Sequence, residues 1–145
     1  MVMNNPPEKW MVIVNPNAGN GKGIKDWGRI SGLLKSDGID FEFYFTERRH
    51  HAVELTLEAI KNGYRRFIGV GGDGTMNELV NGIYEQPEVP TSEMTIAMIP
   101  VGTGIDWGRL FGIPGDYRGA VSIIKRGTTT LHDAGLLWYY HGTVR

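Results

Sequence analysis

At 145 residues, with 41% hydrophobic and 21% charged side chains, the chain reads as one soluble domain large enough for a real core. A formal net charge of -1 lacks the basic footprint of a nucleic-acid binder, and with no cysteine neither disulfides nor thiolate metal sites are available. No run approaches the about 18 apolar residues of a membrane-spanning helix, and residues 1–9 are polar and proline-bearing, unlike a signal peptide, so a cytoplasmic protein with a flexible N-terminal tail is expected.

Strands and helices alternate along the chain. Residues 10–14 form a short apolar strand that runs into Asn15-Pro16-Asn17-Ala18-Gly19-Asn20-Gly21, a dense turn signal. Over 22–35, Ile24, Trp27, Ile30 and Leu34 recur at helical spacing, and Gly38 supplies a stop. Residues 40–45 read as a second strand. A helix over 49–61 follows, with Ala52, Leu55 and Ala59 beside Val53, Leu57 and Ile60, ending at Gly63. Phe67-Ile68-Gly69-Val70 is a buried strand, and Met76, Leu79, Val80 and Ile83 define a helix over 76–84. A polar connection containing Pro87 and Pro90 leads to a fourth strand at 94–99. Then come Pro100-Val101-Gly102-Thr103-Gly104, a short helix over 106–111, a helix over 117–125 and a final extended run over 131–140. The alternation predicts a three-layer α/β sandwich, Rossmann-like, with a mostly parallel central sheet in a single domain over 10–145.

Val70-Gly71-Gly72-Asp73-Gly74-Thr75-Met76-Asn77-Glu78 carries most of the chemistry, because it sets an acid inside a glycine-rich turn between strand and helix. Glycines there, Gly72 and Gly74 above all, would supply a positive φ or let a phosphate approach the backbone closely, and the helix N-terminus adds partial positive charge. A carboxylate repels phosphate. Asp73 fits such a turn if Mg²⁺ lies between the two charges, or if it fixes a hydroxyl or backbone group. Asp73→Asn should then weaken metal-dependent binding while hardly moving stability, since functional acids are seldom chosen for stability.

Other readings of these loops fare worse. Gly69, Gly71 and Gly74 spell G-x-G-x-x-G, and Glu93 falls near the spacing of a ribose-binding acid, but that acid belongs at the end of the second strand. Gly19 to Gly23 contains Lys22 without the G-x-x-x-x-G-K-[ST] of a P-loop. The plain alternative is a strand-to-helix turn with no ligand.

Asn15, Thr46, Asp73 and Thr103 each follow the carboxyl end of a predicted parallel strand, where open α/β sheets bind ligands. Taken singly, Asn15 is a turn former and Thr46 a helix cap; together they favour a site. His51 reads as a helix-start residue near the ligand and His50 as solvent-facing. Lys22 and Arg48 are the cations best placed to neutralise phosphates. Trp107, Leu110 and Phe111 read as core.

Val14 to Gly19, Phe45-Thr46 with His51-Ala52, Gly71 to Gly82, and Ile99 to Asp106 together resemble the diacylglycerol kinase catalytic domain, the bacterial lipid kinase family with sphingosine and ceramide kinases as relatives. NAD kinases share Gly71 to Thr75, but the continuation Asn77-Glu78…Asn81-Gly82 is similar to lipid kinases. The resemblance implies that Asn15, Pro16, Asn17, Ala18, Gly19 and Thr46 hold ATP. It also implies that Gly72, Asp73, Gly74, Thr75, Met76, Asn77 and Glu78 cradle its phosphates with Mg²⁺, and that Thr103 completes the pocket. Asp73 would be the catalytic and metal-facing acid. Asp106 would face the acceptor hydroxyl of a lipid presented at a membrane surface, its plain alternative being a helix N-cap. The family usually shows asparagine where Ile105 stands, and an apolar side chain cannot replace an amide's hydrogen bonds. Relatives place a β-rich second domain, carrying the base and part of the lipid pocket, after this one. The chain is therefore expected to be the ATP–Mg²⁺ half of a kinase, inactive alone, with self-association through an apolar surface near Trp138, Tyr139 or Tyr140. A non-catalytic nucleotide-binding or interaction module, and an NAD kinase, are the alternatives.

Overall fold

The structure, a computed structural model, describes residues 8–103 and 105–135. Four strands, β1 (Trp10–Val14), β2 (Phe41–Phe45), β3 (Arg66–Gly71) and β4 (Thr95–Pro100), form a sheet in the order β2-β1-β3-β4. Every pairing is parallel, so the mostly parallel sheet anticipated is wholly parallel among the described residues. Helices α1 (Ala18–Ser36), α2 (His51–Lys61), α3 (Asp73–Glu85), α4 (Asp106–Leu110) and α5 (Tyr117–Arg126) connect or follow the strands.

Alternation along the strands separates two cores. Val12, Val14, Ile68, Val70 and Ile99 face α1 and α5, meeting Trp27, Ile30, Leu34, Val121 and Ile124. Met11, Ile13 and Phe67 face the other way, against Ala52, Ala59 and Ile60 of α2 and Leu79 and Ile83 of α3. Both central strands are therefore apolar on both faces, as a covered parallel sheet requires. Each of the valine, leucine, isoleucine, phenylalanine and methionine side chains among them contributes about 1.5–3 kcal/mol by burial. Gly82 lets α2 and α3 pack closely, since a Cβ there would lie 2.8 Å from Cβ of Thr56. Edge strand β2 is half covered: Trp27 packs on Phe41, Phe43 and Phe45, while Phe43 and Tyr44 stay exposed.

Several boundaries differ from the sequence-based expectation. Ile24 is exposed, not on the buried stripe of α1. Gly23 faces the sheet instead, because a Cβ there would stand 2.0 Å from the carbonyl oxygen of Asn15. Helix α2 starts at His51, two residues late, since His50 adopts a left-handed conformation with φ 66°. Helix α3 begins at Asp73, three residues early, with extended Gly72 as its N-cap. Leu110 is 74% exposed and not core, whereas Trp107 and Phe111 are part-buried and pack on one another. Residues 131–135 have no regular structure; the rest of the extended run anticipated to 140, with Trp138, Tyr139 and Tyr140, lies outside the described residues. Lys9, placed in a flexible tail by sequence, pairs with Glu42 at 3.3 Å.

Candidate nucleotide site

The strand order places the topological switch between β1 and β3, which leave the sheet toward opposite faces. Backbone bonds beyond the ladder stitch the strand ends together. Asn15 N–H donates to the Val70 carbonyl at 2.9 Å, Thr46 N–H to Val14 at 2.8 Å, and Val101 N–H to Gly71 at 2.9 Å. Four turns are thereby fixed around one cleft of about 860 Å³.

The β1–α1 turn is built by Asn15, whose Oδ1 accepts the Asn17 N–H at 3.0 Å, the side-chain turn that asparagine forms readily. Gly19, Asn20 and Gly21 then run left-handed, with φ of 61°, 58° and 91°, before the helix resumes. Gly19 meets Gly102 of the β4–α4 turn so closely that a Cβ on Gly102 would sit 3.0 Å from the Gly19 nitrogen. Gly102 has φ 98°, so both space and conformation call for glycine there.

Of the two roles anticipated for the glycines before α3, positive φ is not found and close approach of a phosphate is the one left open. Gly72 has φ -104°, and Gly74 is not among the residues with positive φ. Both border the cleft. Gly71 packs on Thr75, whose Oγ1 would lie 2.5 Å from a Cβ there. No side chain caps the N-terminus of α3, so its first-turn N–H groups remain available to an anion.

Asp73 borders the cleft and also reaches the start of α4. Its Oδ2 accepts the Asp106 N–H at 3.1 Å and its Oδ1 the Trp107 N–H at 3.0 Å, so Asp73 caps α4. Asp106, read from sequence as a possible N-cap, is not one: the N-cap is Ile105, and the Asp106 carboxylate accepts from Arg109 at 3.4 Å. Thr46 likewise does not cap α2, whose N-cap is His50.

Of the residues expected from sequence, Asn15, Asn17, Ala18, Gly19, Thr46, Gly72, Asp73, Gly74, Thr75, Glu78 and Thr103 border the cleft together. Pro16, Met76, Asn77 and Asp106 do not. Met76 is buried, its sulfur where a Cβ on Gly69 would go, and Asn77 is exposed. Arg49 and Gly102 border the cleft without having been anticipated, alongside the expected Lys22 and Arg48. The run Arg48-Arg49, two residues beyond Thr46, was the available signal. His51 serves the loop: its Nδ1 accepts the Glu47 N–H at 2.9 Å.

Among the described residues, no group of three or more His, Asp or Glu could hold a metal unaided. Mg²⁺, however, is commonly held by one or two carboxylates together with substrate phosphates and water. Asp73 and Glu78 both border the cleft, and Glu78 Oε1 is buried with no hydrogen-bond partner. That oxygen and the unused lone pairs of Asp73 fit a cation shared with a polyphosphate.

Residues 9–137 match the family described as the diacylglycerol kinase catalytic domain. The chain is 38% identical over 124 residues to a diacylglycerol kinase of Staphylococcus haemolyticus, covering 86% of this chain and 36% of that protein. It is 36% identical over 124 residues to one from Staphylococcus aureus, covering 86% and 38%. A solved diacylglycerol kinase structure from Bacillus anthracis superposes with TM-score 0.71 at 30% identity, over 83% of this chain and 40% of that one. The chain thus spans well under half the length of these relatives.

Proposed function

Because the chain belongs to the diacylglycerol kinase catalytic domain family, we propose that its cleft binds ATP with Mg²⁺ as the nucleotide half of a lipid kinase that phosphorylates a diacylglycerol-like hydroxyl. The observation that carries this reading is the convergence of the turns after β1, β2, β3 and β4 on one cleft, with Asn15, Thr46, Asp73 and Thr103 on its wall. The β1–α1 turn and Thr46 hold the nucleotide. The free N–H groups at the start of α3 receive its phosphates, with Lys22, Arg48 and Arg49 adding positive charge.

Asp73 and Glu78 are the residues that would hold Mg²⁺, which when bound neutralises the phosphate charge as transfer proceeds. Asp73 also keeps the start of α4 against the phosphate turn, fixing the Asp106 backbone on the acceptor side. On this reading a lipid acceptor approaches from this side, at the cytoplasmic face of a membrane. No helix among the described residues is long and apolar enough to cross a membrane. Orienting and deprotonating the acceptor hydroxyl is assigned to the part of the relatives' length that this chain does not span, so the chain alone should bind without transfer.

Melting curves of the 145-residue chain with and without Mg²⁺–ATP test the reading. A ligand at 100 times its dissociation constant adds about 2.7 kcal/mol to the folded state. No stabilisation by any nucleoside triphosphate would overturn the nucleotide site. Vigorous transfer of labelled phosphate from ATP to diacylglycerol micelles by this chain would overturn the division of labour.

A further inference from the structure

Beside the nucleotide cleft lies a second cavity of about 340 Å³, walled by α1, the β4–α4 turn and the segment leading into α5. Lys22 and Gly102 border both spaces, so a lysine side chain and a glycine backbone form part of the wall between them.

Two acids and two bases face this cavity: Asp26 and Asp116, Lys22 and Arg29. The acids are already engaged. Tyr117 donates its hydroxyl to Asp26 Oδ2 at 2.7 Å, and Gly119 N–H donates to Asp116 Oδ2 at 2.8 Å. The bases are not engaged by acids. Among the described residues the ion pairs are Lys9–Glu42, Arg48–Glu54 and Arg109–Asp106, none of which includes Lys22 or Arg29. No residue outside the described range carries an acidic side chain that could serve them. Arg29 instead stands over the Tyr117 ring, its guanidinium carbon 5.6 Å from the centroid, which fixes the cation without neutralising it. The four charges of the lining balance, but the donors of Lys22 and Arg29 have no acidic partner, whereas an oxygen of each carboxylate is already taken.

We propose that this second cavity is a binding site for a phosphate monoester, held by Arg29 and Lys22. Arginine's planar fork matches phosphate oxygens, and the lysine adds a point charge. The remaining lone pairs of Asp26 and Asp116 can accept the P–OH of a singly ionised phosphate, and space is left beside it for a short esterified stem. The cavity is roomy enough for both. Such a group could be free phosphate or the headgroup of a phosphorylated lipid. Since Lys22 borders both spaces, a phosphate here draws on the same ammonium as a nucleotide phosphate. On the ATP reading given above, the two ligands should weaken each other by one common factor.

Amide chemical shifts of the 145-residue chain, followed during titration with inorganic phosphate and separately with soluble dihexanoyl phosphatidate, test the site. Saturable shifts at Gly115, Asp116 and Tyr117 are expected. Arg29→Gln should weaken them at least about tenfold, while shifts at Gly72 to Thr75 stay as in the unaltered chain. Arg29→Lys, which keeps the charge, should restore part of the affinity. Tighter binding of phosphatidate would identify the lipid headgroup as the ligand, and equal binding would identify free phosphate. Shifts confined to Gly72 to Thr75, or shifts at Gly115 to Tyr117 that Arg29→Gln leaves unchanged, would overturn the proposal. Failure of ATP to bind would remove only the coupling, because the phosphate titration requires no nucleotide.

Discussion

The Asp73 carboxylate accepts the backbone N–H of Trp107 at 3.0 Å, joining the phosphate turn to the start of α4 across 34 residues of sequence. Its other oxygen takes the Asp106 N–H at 3.1 Å. One acid therefore borders the nucleotide cleft and also satisfies two donors that a helix N-terminus leaves open. This geometry gives Asp73 a structural role that the expectation of nearly unchanged stability on Asp73→Asn left out.

Asp73→Asn should accordingly lower both binding and stability. The amide keeps one acceptor oxygen and turns an N–H donor toward the second backbone N–H, so one helical donor loses its partner. A loss of about 1–2 kcal/mol follows, seen as a melting temperature lower by roughly 3–6 °C. Calorimetric titration with Mg²⁺–ATP should show affinity reduced by more than about tenfold. An unchanged melting temperature would mean that the Asp73–α4 contact carries no weight.

Glu78→Gln separates binding from stability. The Glu78 Oε1 atom is buried without a partner, so the fold gains little from the charge. Melting in the absence of ligand should stay the same or rise slightly. The dependence of ATP binding on Mg²⁺ should weaken by at least about tenfold. Identical Mg²⁺ titration curves for the two forms would exclude Glu78 from the metal's surroundings.

Two glycine-to-alanine changes should behave oppositely. At Gly102, with φ 98° and the Gly19 nitrogen 3.0 Å from the added Cβ, alanine should cost about 1–3 kcal/mol of stability. At Gly74, inside α3 with nothing within 4 Å of the added Cβ, alanine should stabilise by up to about 1 kcal/mol. If phosphate abuts this turn, Gly74→Ala should nevertheless weaken ATP binding. Denaturant melts read the first effect and titrations the second.

The pH dependence at the alkaline end is set by two tyrosines. Burial, then the hydrogen bond to Glu42, pushes Tyr64 up to about 12; burial, then the bond to Asp26, does the same for Tyr117. A tyrosine in the unfolded chain ionises near about 10. Both groups thus favour the folded state fully below that pH, and their contribution is lost as pH rises toward about 12. Melting temperature should fall across that window, and Tyr64→Phe or Tyr117→Phe should each flatten the fall. At the acid end Glu42, held below its ordinary value first by Tyr64 and then by Lys9, contributes above the carboxylate range and loses that contribution as pH drops through it. A phenolate absorbance titration that finishes with no late-ionising tyrosine would contradict the alkaline part.

Much of the architecture was legible in the sequence because its signals are local. Trp27, Ile30 and Leu34 repeat at helical spacing and are buried together. The apolar runs of β1 and β3 mark strands covered on both faces. Asn15, Thr46, Asp73 and Thr103 fall after strand ends in any parallel arrangement, so their shared address could be named in advance. Ile24 misled because helical period alone cannot say which neighbouring residue faces the sheet; the approach of α1 to Asn15 leaves room only for Gly23. Met76 misled because its place in a phosphate motif says nothing about which way its side chain turns.

Motif chemistry and periodicity, both readable within a few residues, by themselves determined the α/β class and the candidate phosphate turn. The order β2-β1-β3-β4, the Gly19–Gly102 contact, the capping of α4 by Asp73 and the cavity between Lys22 and Arg29 were decided only by tertiary structure. Each of these depends on distances between turns far apart in sequence. Such distances are fixed by how the two apolar cores pack around the sheet, which no local pattern encodes.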